Sequence, residues 1–319
     1  LTANAGIQYW LIKPLRQSHL YDCLVKVLTG KGAPESRAAN ADSGATLGGH
    51  LLLVEDNPVN QTVALDMLEM LGCRVDLVED GAAAVAAAGA RRFDAVLMDL
   101  QMPGMDGFEA AQAIRRGEEE AGIDLPVPII ALTANAMQGD RAACLNAGMD
   151  DYLSKPYSLE GLRTVLRRWL PISAGSSVPR PAPAGIPEAL LPEPADSPDG
   201  NALLDPKALD NIRSLQRPGK PDVLARVAAL YLRDSRELLD TLAEAAGEGG
   251  SPAELQRAAH TLKSSSANLG ATALAGLCRE LELAARAGTL EEAPRLVAAI
   301  AAAHAEACNA IGALSPQAA

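Results

Sequence analysis

Between Leu51 and Leu170, five short strand-like runs alternate with helical stretches, and no other feature restricts the possible folds of this chain so strongly. The runs are Leu51-Leu52-Leu53-Val54, Val75-Asp76-Leu77-Val78, Ala95-Val96-Leu97-Met98, Val127 to Leu132 and Met149 to Leu153. Helical spacing follows the first through Val59, Val63, Leu68 and Leu71, and a last helix is expected near 158–170. Strands separated by helices cannot pair as hairpins. They run parallel, and the crossover helices cover both faces of the sheet.

The flanking segments set the organisation. Residues 31–49, with Gly32, Pro34, Ser36 and Gly48-Gly49, and residues 172–203, with seven prolines from Pro179 to Pro198, lack an apolar period and read as linkers. They bound an α/β unit at 50–171 and a helical one at 204–315. In the latter, Asp205-Pro206 and Ser251-Pro252-Ala253-Glu254 are helix starts. Glycine breaks at 247–250, 270 and 288 then predict a short helix and four longer ones, an antiparallel bundle. Residues 1–30 are different again. Ala5 to Pro14 echoes Ala147 to Pro156, so this stretch is expected to be the C-terminal remnant of a second α/β unit. A chain opening on Leu1-Thr2-Ala3 is expected to be a piece of a longer one.

A formal charge of −12 argues against a nucleic-acid grip, and no apolar run is long enough to cross a bilayer, so neither nucleic acid nor direct membrane contact is expected. The five cysteines have no metal-ligand spacing and suit a reducing cytoplasm as core filler. No Gly-rich nucleotide-binding segment is present, which disfavours an autonomous ATP-dependent kinase.

Ligands of open parallel sheets collect at the carboxyl ends of the strands. There this chain carries Glu55-Asp56 after the first strand, Asp99 after the third, Thr133 after the fourth and Lys155 at the end of the fifth. Three converging carboxylates suit a hard divalent cation such as Mg²⁺, and a lysine and a hydroxyl beside it suit phosphoryl oxygens. In the helical unit, His260 lies about 140° around its helix from the stripe Leu255, Ala259, Leu262, Ser266 and Leu269. It is expected to project into solvent, among Gln256, Ser264 and Ala267, with Lys263 one turn on.

Val54-Glu55-Asp56-Asn57, Met98 to Gly107, Leu132-Thr133-Ala134 and Tyr152-Leu153-Ser154-Lys155-Pro156 resemble response-regulator receiver domains, flavodoxin-like (βα)5 folds. The resemblance implies that Asp99 accepts a phosphoryl group and that Glu55, Asp56, Asp99 and the backbone carbonyl of Gln101 hold Mg²⁺. It further implies that Lys155 and Thr133 contact the phosphoryl group, that Tyr152 follows as a switch residue, and that Lys155-Pro156 is cis. The connection through Arg115 to Leu125 is longer than usual and is expected to affect partners. Ala259 to Ala271 is similar to the phosphoacceptor helix of histidine-phosphotransfer domains, which implies that His260 carries the phosphoryl group and Lys263 stabilises it. Ser264 stands where many members have glycine.

Together these resemblances point to the C-terminal part of a hybrid sensor histidine kinase: a phosphorelay from an upstream histidine kinase domain to Asp99, then His260, then a downstream response regulator. The segment would be cytoplasmic and its parent anchored in the bacterial inner membrane. The alternative is a receiver that acts as a phosphorylation-controlled interaction switch, without obligatory transfer through His260.

Overall fold

The computed structural model describes residues 46–133, 138–170, 203–247 and 249–314. The expectations for residues 1–30, for most of 31–49 and for nearly all of 172–203 lie outside the described residues. The described residues form one compact unit.

Its first half alternates as the sequence predicts. Strands β1 (His50–Val54), β2 (Arg74–Val78), β3 (Ala95–Asp99), β4 (Ile129–Thr133) and β5 (Asp151–Ser154) alternate with helices α1 (Pro58–Met70), α2 (Gly81–Ala90), α3 (Gly107–Glu120), α4 (Gln138–Asn146) and α5 (Leu159–Trp169). All pairings are parallel, in the order β2-β1-β3-β4-β5. Alternate residues of a strand face opposite sides, so β1 serves two cores. Leu51 and Leu53 join Leu97, Leu132 and helices α1 and α5, while Leu52 and Val54 join Val96, Met98, Ile129 and helix α3. The strand order reverses between β1 and β3, which opens the ligand crevice at their carboxyl ends.

Local chemistry fixes the helix starts. The Asn57 side chain accepts from Val59 N at 2.9 Å with Pro58 in the first turn, and Asp106 and Glu109 form a capping box on α3. The long connection before β4 is helical as far as Glu120, and Glu118 turns inward, accepting from Val127 N at 2.6 Å and pairing with Arg115 at 2.5 Å. A buried carboxylate so bonded secures the entry to β4.

The second half holds a short helix, α6 (Pro206–Arg213), and four longer ones: α7 (Val223–Ala245), α8 (Pro252–Asn268), α9 (Thr272–Ala287) and α10 (Ala293–Gly312). Each long helix touches the next, and α10 returns to α7. The stripe Leu255, Ala259, Leu262, Ser266 and Leu269 is fully buried, and Ser266 Oγ meets Tyr231 Oη at 3.0 Å.

The two halves share one apolar cluster, which runs from β1 and α1 into α7 and α8. Helix α1 is therefore covered on two sides. Val63, Ala64, Met67 and Leu68 are buried, and so are the polar Asn60, Gln61 and Asp66. At its rim, Asp66 pairs with Arg226, and Glu69 accepts from Lys220 at 2.5 and 2.6 Å.

Candidate functional site

Glu55 and Asp56 leave β1, Asp99 ends β3, Thr133 ends β4 and Lys155 follows β5, so the parallel register itself gathers them. One carboxylate oxygen from each of Glu55, Asp56 and Asp99 lies within 4.8 Å of the other two. Lys155 Nζ reaches between two of them, at 2.5 Å from Glu55 Oε2 and 2.6 Å from Asp99 Oδ2. The main chain of Lys155 donates to the Thr133 carbonyl at 2.7 Å, which locks the β4 and β5 ends together, and the Lys155-Pro156 bond is cis, as expected.

Charge in this crevice is unbalanced, since three acids share one ammonium. Burial, then the neighbouring Asp99, pushes Asp56 up to about 6. Burial raises Glu55 as well, against the pull of Lys155. Desolvation would lower Lys155, but Asp99 and Glu55 outweigh it and hold the ammonium above its usual range. The two shifts conflict, because an ammonium held by Glu55 needs that carboxylate ionised. At 2.5 Å the ion pair decides for the charged forms. The excess negative charge is what a divalent cation relieves, and the all-oxygen donor set fits Mg²⁺.

Gln101 follows β3, its amide donating to Asp99 Oδ1 at 3.3 Å, and its buried side-chain oxygen has no partner. Tyr152 is half-buried on β5 opposite Ala131 and packs on the second apolar cluster. A roomier cleft of about 360 Å³, lined by Phe93, Ile114 and Val127, opens at the other end of the strands, away from this chemistry.

His260 differs from expectation. It turns away from the bundle stripe but does not reach solvent: only 6% of it is exposed, because the α/β unit covers that face. Its ring Nδ1 lies 3.2 Å from Glu282 Oε1, and Lys263 pairs with the other Glu282 oxygen. Burial alone would raise Glu282, but the bonds from His260 and Lys263 prevail and hold it at about 2. With Nδ1–H donating to this carboxylate, the lone pair is left on Nε2, which is buried and has no partner.

The two candidate centres face one another. His260, Arg257 and Arg286 line one recess with Gln101 and Phe108. Asp99 and Thr133 line another, of about 100 Å³, with Lys263, Arg279, Glu282 and the same Arg286. Basic groups of α8 and α9 thus rim the acidic crevice. Sequence reasoning missed Glu282 and the arginines. The signal for Glu282 was present, since it falls on the apolar face of α9 marked by Cys278, Leu281 and Ala285, where an acid needs a partner.

Because its carboxyl is held low, Glu282 contributes stability that is present above its ordinary value of 4.5 and is lost as pH falls towards about 2. After allowance for solvent screening, this is on the order of 1–2 kcal/mol. Glu282→Gln should lower stability at neutral pH by about that amount and flatten the decline between those pH values. Urea unfolding across the acid range measures this, and an unchanged acid limb would refute it.

The response regulator receiver domain family matches residues 51–167, and the Hpt domain family matches residues 226–310. Sensor protein GacS of Pseudomonas syringae pv. syringae is 40% identical over 213 residues, 66% of this chain and 22% of its own length. Signal transduction histidine-protein kinase BarA of Escherichia coli K12 is 32% identical over 287 residues, 90% of this chain and 29% of its own. The chain thus spans less than a third of these relatives. The receiver domain of sensor histidine kinase PA1611 from Pseudomonas aeruginosa, solved with a magnesium ion in its active-site cleft, is 55% identical. It covers 38% of this chain and 97% of its own, with a TM-score of 0.35. Residues 51–167 belong to the response regulator receiver family and residues 226–310 to the Hpt family, in a chain whose relatives include sensor and signal transduction histidine kinases.

Proposed function

We propose that this chain is a phosphorelay stage in which a phosphoryl group passes from an upstream phosphohistidine to Asp99, from Asp99 to His260, and from His260 to a downstream response regulator. The observation that carries the proposal is the buried, unpartnered Nε2 of His260, in a recess that adjoins the Asp99 crevice and shares Gln101, Phe108 and Arg286 with it.

In the first step an Asp99 carboxylate oxygen attacks phosphorus, and the P–N bond of the donor breaks with its electron pair returning to the donor imidazole. In the second, His260 Nε2 attacks the acyl phosphate. The new N–P bond forms as the P–O bond breaks and the Asp99 carboxylate is regenerated, while the Nδ1 proton stays against Glu282. Lys155 neutralises charge at Asp99, Thr133 contacts the phosphoryl oxygens, and Tyr152 follows Thr133 as the switch residue. Lys263, with the arginine rim, neutralises charge near His260. Mg²⁺ held by Glu55, Asp56, Asp99 and the carbonyl of Gln101 would supply Lewis-acid stabilisation of the transferring group.

The donor would be a histidine kinase domain in the parent chain, a reading supported by the hybrid kinase relatives. Among the described residues no helix is long and apolar enough to cross a membrane. A cytoplasmic segment of a parent anchored in the bacterial inner membrane belongs to the same proposal.

Transfer from a labelled phosphohistidine donor tests the route. Wild type should carry label on both residues, Asp99→Ala on neither, and His260→Gln on Asp99 alone. Label on His260 in Asp99→Ala would remove the receiver from the route. Unchanged onward signalling in His260→Gln would favour the interaction-switch reading.

A further inference from the structure

We propose that Asn60 is a positioning residue which couples occupancy of the Mg²⁺ site to docking of the phosphotransfer helix; this rests on the reading of Glu55, Asp56 and Asp99 as that site. The Asn60 side chain is buried on the first turn of α1, between the acidic crevice and α8. Its Nδ2 donates to Glu55 Oε1 at 2.7 Å and to Ser264 Oγ at 2.8 Å, and its Oδ1 accepts from Asn268 Nδ2 at 2.7 Å.

Both amide hydrogens and the carbonyl oxygen are therefore used. Two of the three bonds reach the Hpt unit and one reaches a carboxylate of the crevice. The assignment of nitrogen and oxygen follows from the partners. Glu55 already receives Lys155 on its other oxygen, so the atom facing Oε1 must donate. An aspartate in place of Asn60 would have no hydrogens to give, and an alanine would leave the buried Oε1 without this donor.

The consequence is a linkage. With α8 in place, Ser264 and Asn268 fix the Asn60 amide plane, and that plane fixes Glu55, a member of the three-carboxylate cluster. With α8 withdrawn, two of the three restraints are gone and Glu55 is held by Lys155 and a freer amide. Docking thus preorganises a metal ligand, and by reciprocity the cation strengthens docking by the same factor.

Asn268 makes the test clean, because it sits half-buried near the end of α8 and has no bond to the crevice except through Asn60. In the intact chain, Mg²⁺ affinity is measured by calorimetric titration. Docking is read separately as the rate at which diethyl pyrocarbonate modifies His260, located by mass spectrometry. Asn268→Ala should weaken Mg²⁺ binding about fivefold. Asn60→Ala should weaken it at least as much, and the double variant should be no worse than Asn60→Ala. Mg²⁺ should slow His260 modification in wild type and lose that effect in either variant. Wild-type Mg²⁺ affinity in Asn268→Ala, or an undiminished Mg²⁺ effect on His260 in Asn60→Ala, would overturn the coupling and leave the metal site standing. A wild-type chain that binds no Mg²⁺ would overturn the site reading and the coupling together.

Discussion

Replacing Lys155 by alanine is expected to reduce phosphoryl uptake by Asp99 on the order of 10²–10³-fold, the scale for removing one preorganised charge from a water-poor site. The Lys155 side chain is 7% exposed and forms the bridge from Glu55 to Asp99. Without it, three carboxylates face one another with no ammonium among them. The same substitution should cost about 3–5 kcal/mol of stability, since one partner of a buried ion pair has been removed and the other left uncompensated. The two effects separate on addition of Mg²⁺. A cation can replace the missing charge in the unphosphorylated site but not the contact to the phosphoryl group proposed for Lys155, so stability should recover in part while uptake stays slow. Thermal unfolding with and without Mg²⁺, beside label uptake, reads both. Uptake within tenfold of wild type would show that Lys155 does not assist the transfer.

Gly107→Ala carries the second large effect, and for a steric reason alone. A Cβ on Gly107 would meet the Asp99 carbonyl oxygen and would stand 2.8 Å from Leu100 Cα. Both are backbone atoms at the end of β3, so no rotamer change relieves the contact. Either α3 must retreat, with its Asp106–Glu109 capping box, or the strand end that carries Asp99 must move. The expected cost is about 2–3 kcal/mol, at the upper end for overpacked sites, with a loss of acceptor rate as Asp99 leaves its place beside Lys155. Gly117, exposed on the same helix with nothing near its added Cβ, is the control. Gly117→Ala should be neutral or mildly stabilising, because alanine is the better helix former. Equal unfolding midpoints for the two variants would mean that the approach of α3 to β3 is not a constraint.

Much of the acidic crevice was legible in the sequence, because a parallel sheet converts strand order into position. Once Leu51 to Val54 and Ala95 to Met98 are read as neighbouring strands, Glu55, Asp56 and Asp99 must meet at one edge. The bundle stripe was legible for the similar reason that helical periodicity sorts residues by face. The charge balance was not, since the shifts of Asp56 and Glu55 depend on burial, and burial is a property of the packed chain.

His260 marks where periodicity stops being enough. The sequence determined that it leaves the core stripe of its own helix, because 100° per residue allows nothing else. Whether that direction leads to solvent or to another surface is decided by packing between elements far apart in the chain. Here the covering surface is the α/β unit: Gln101 and Phe108 share a recess with His260, and Asn57, at the start of α1, donates to the neighbouring Thr261 carbonyl at 3.1 Å across 204 positions. Ser264 shows the same division. Read along the chain it is a small residue that narrows access to His260, whereas in the folded structure its hydroxyl bonds Asn60. Sequence by itself determined the strands, the helix faces and the set of acids, since these follow from local periodicity and from the geometry of a parallel sheet. Only the tertiary structure decided the Glu282 anchor, the arginine rim and the Asn60 bridge, because hydrogen bonds and charge pairs between distant segments depend on which faces are buried together.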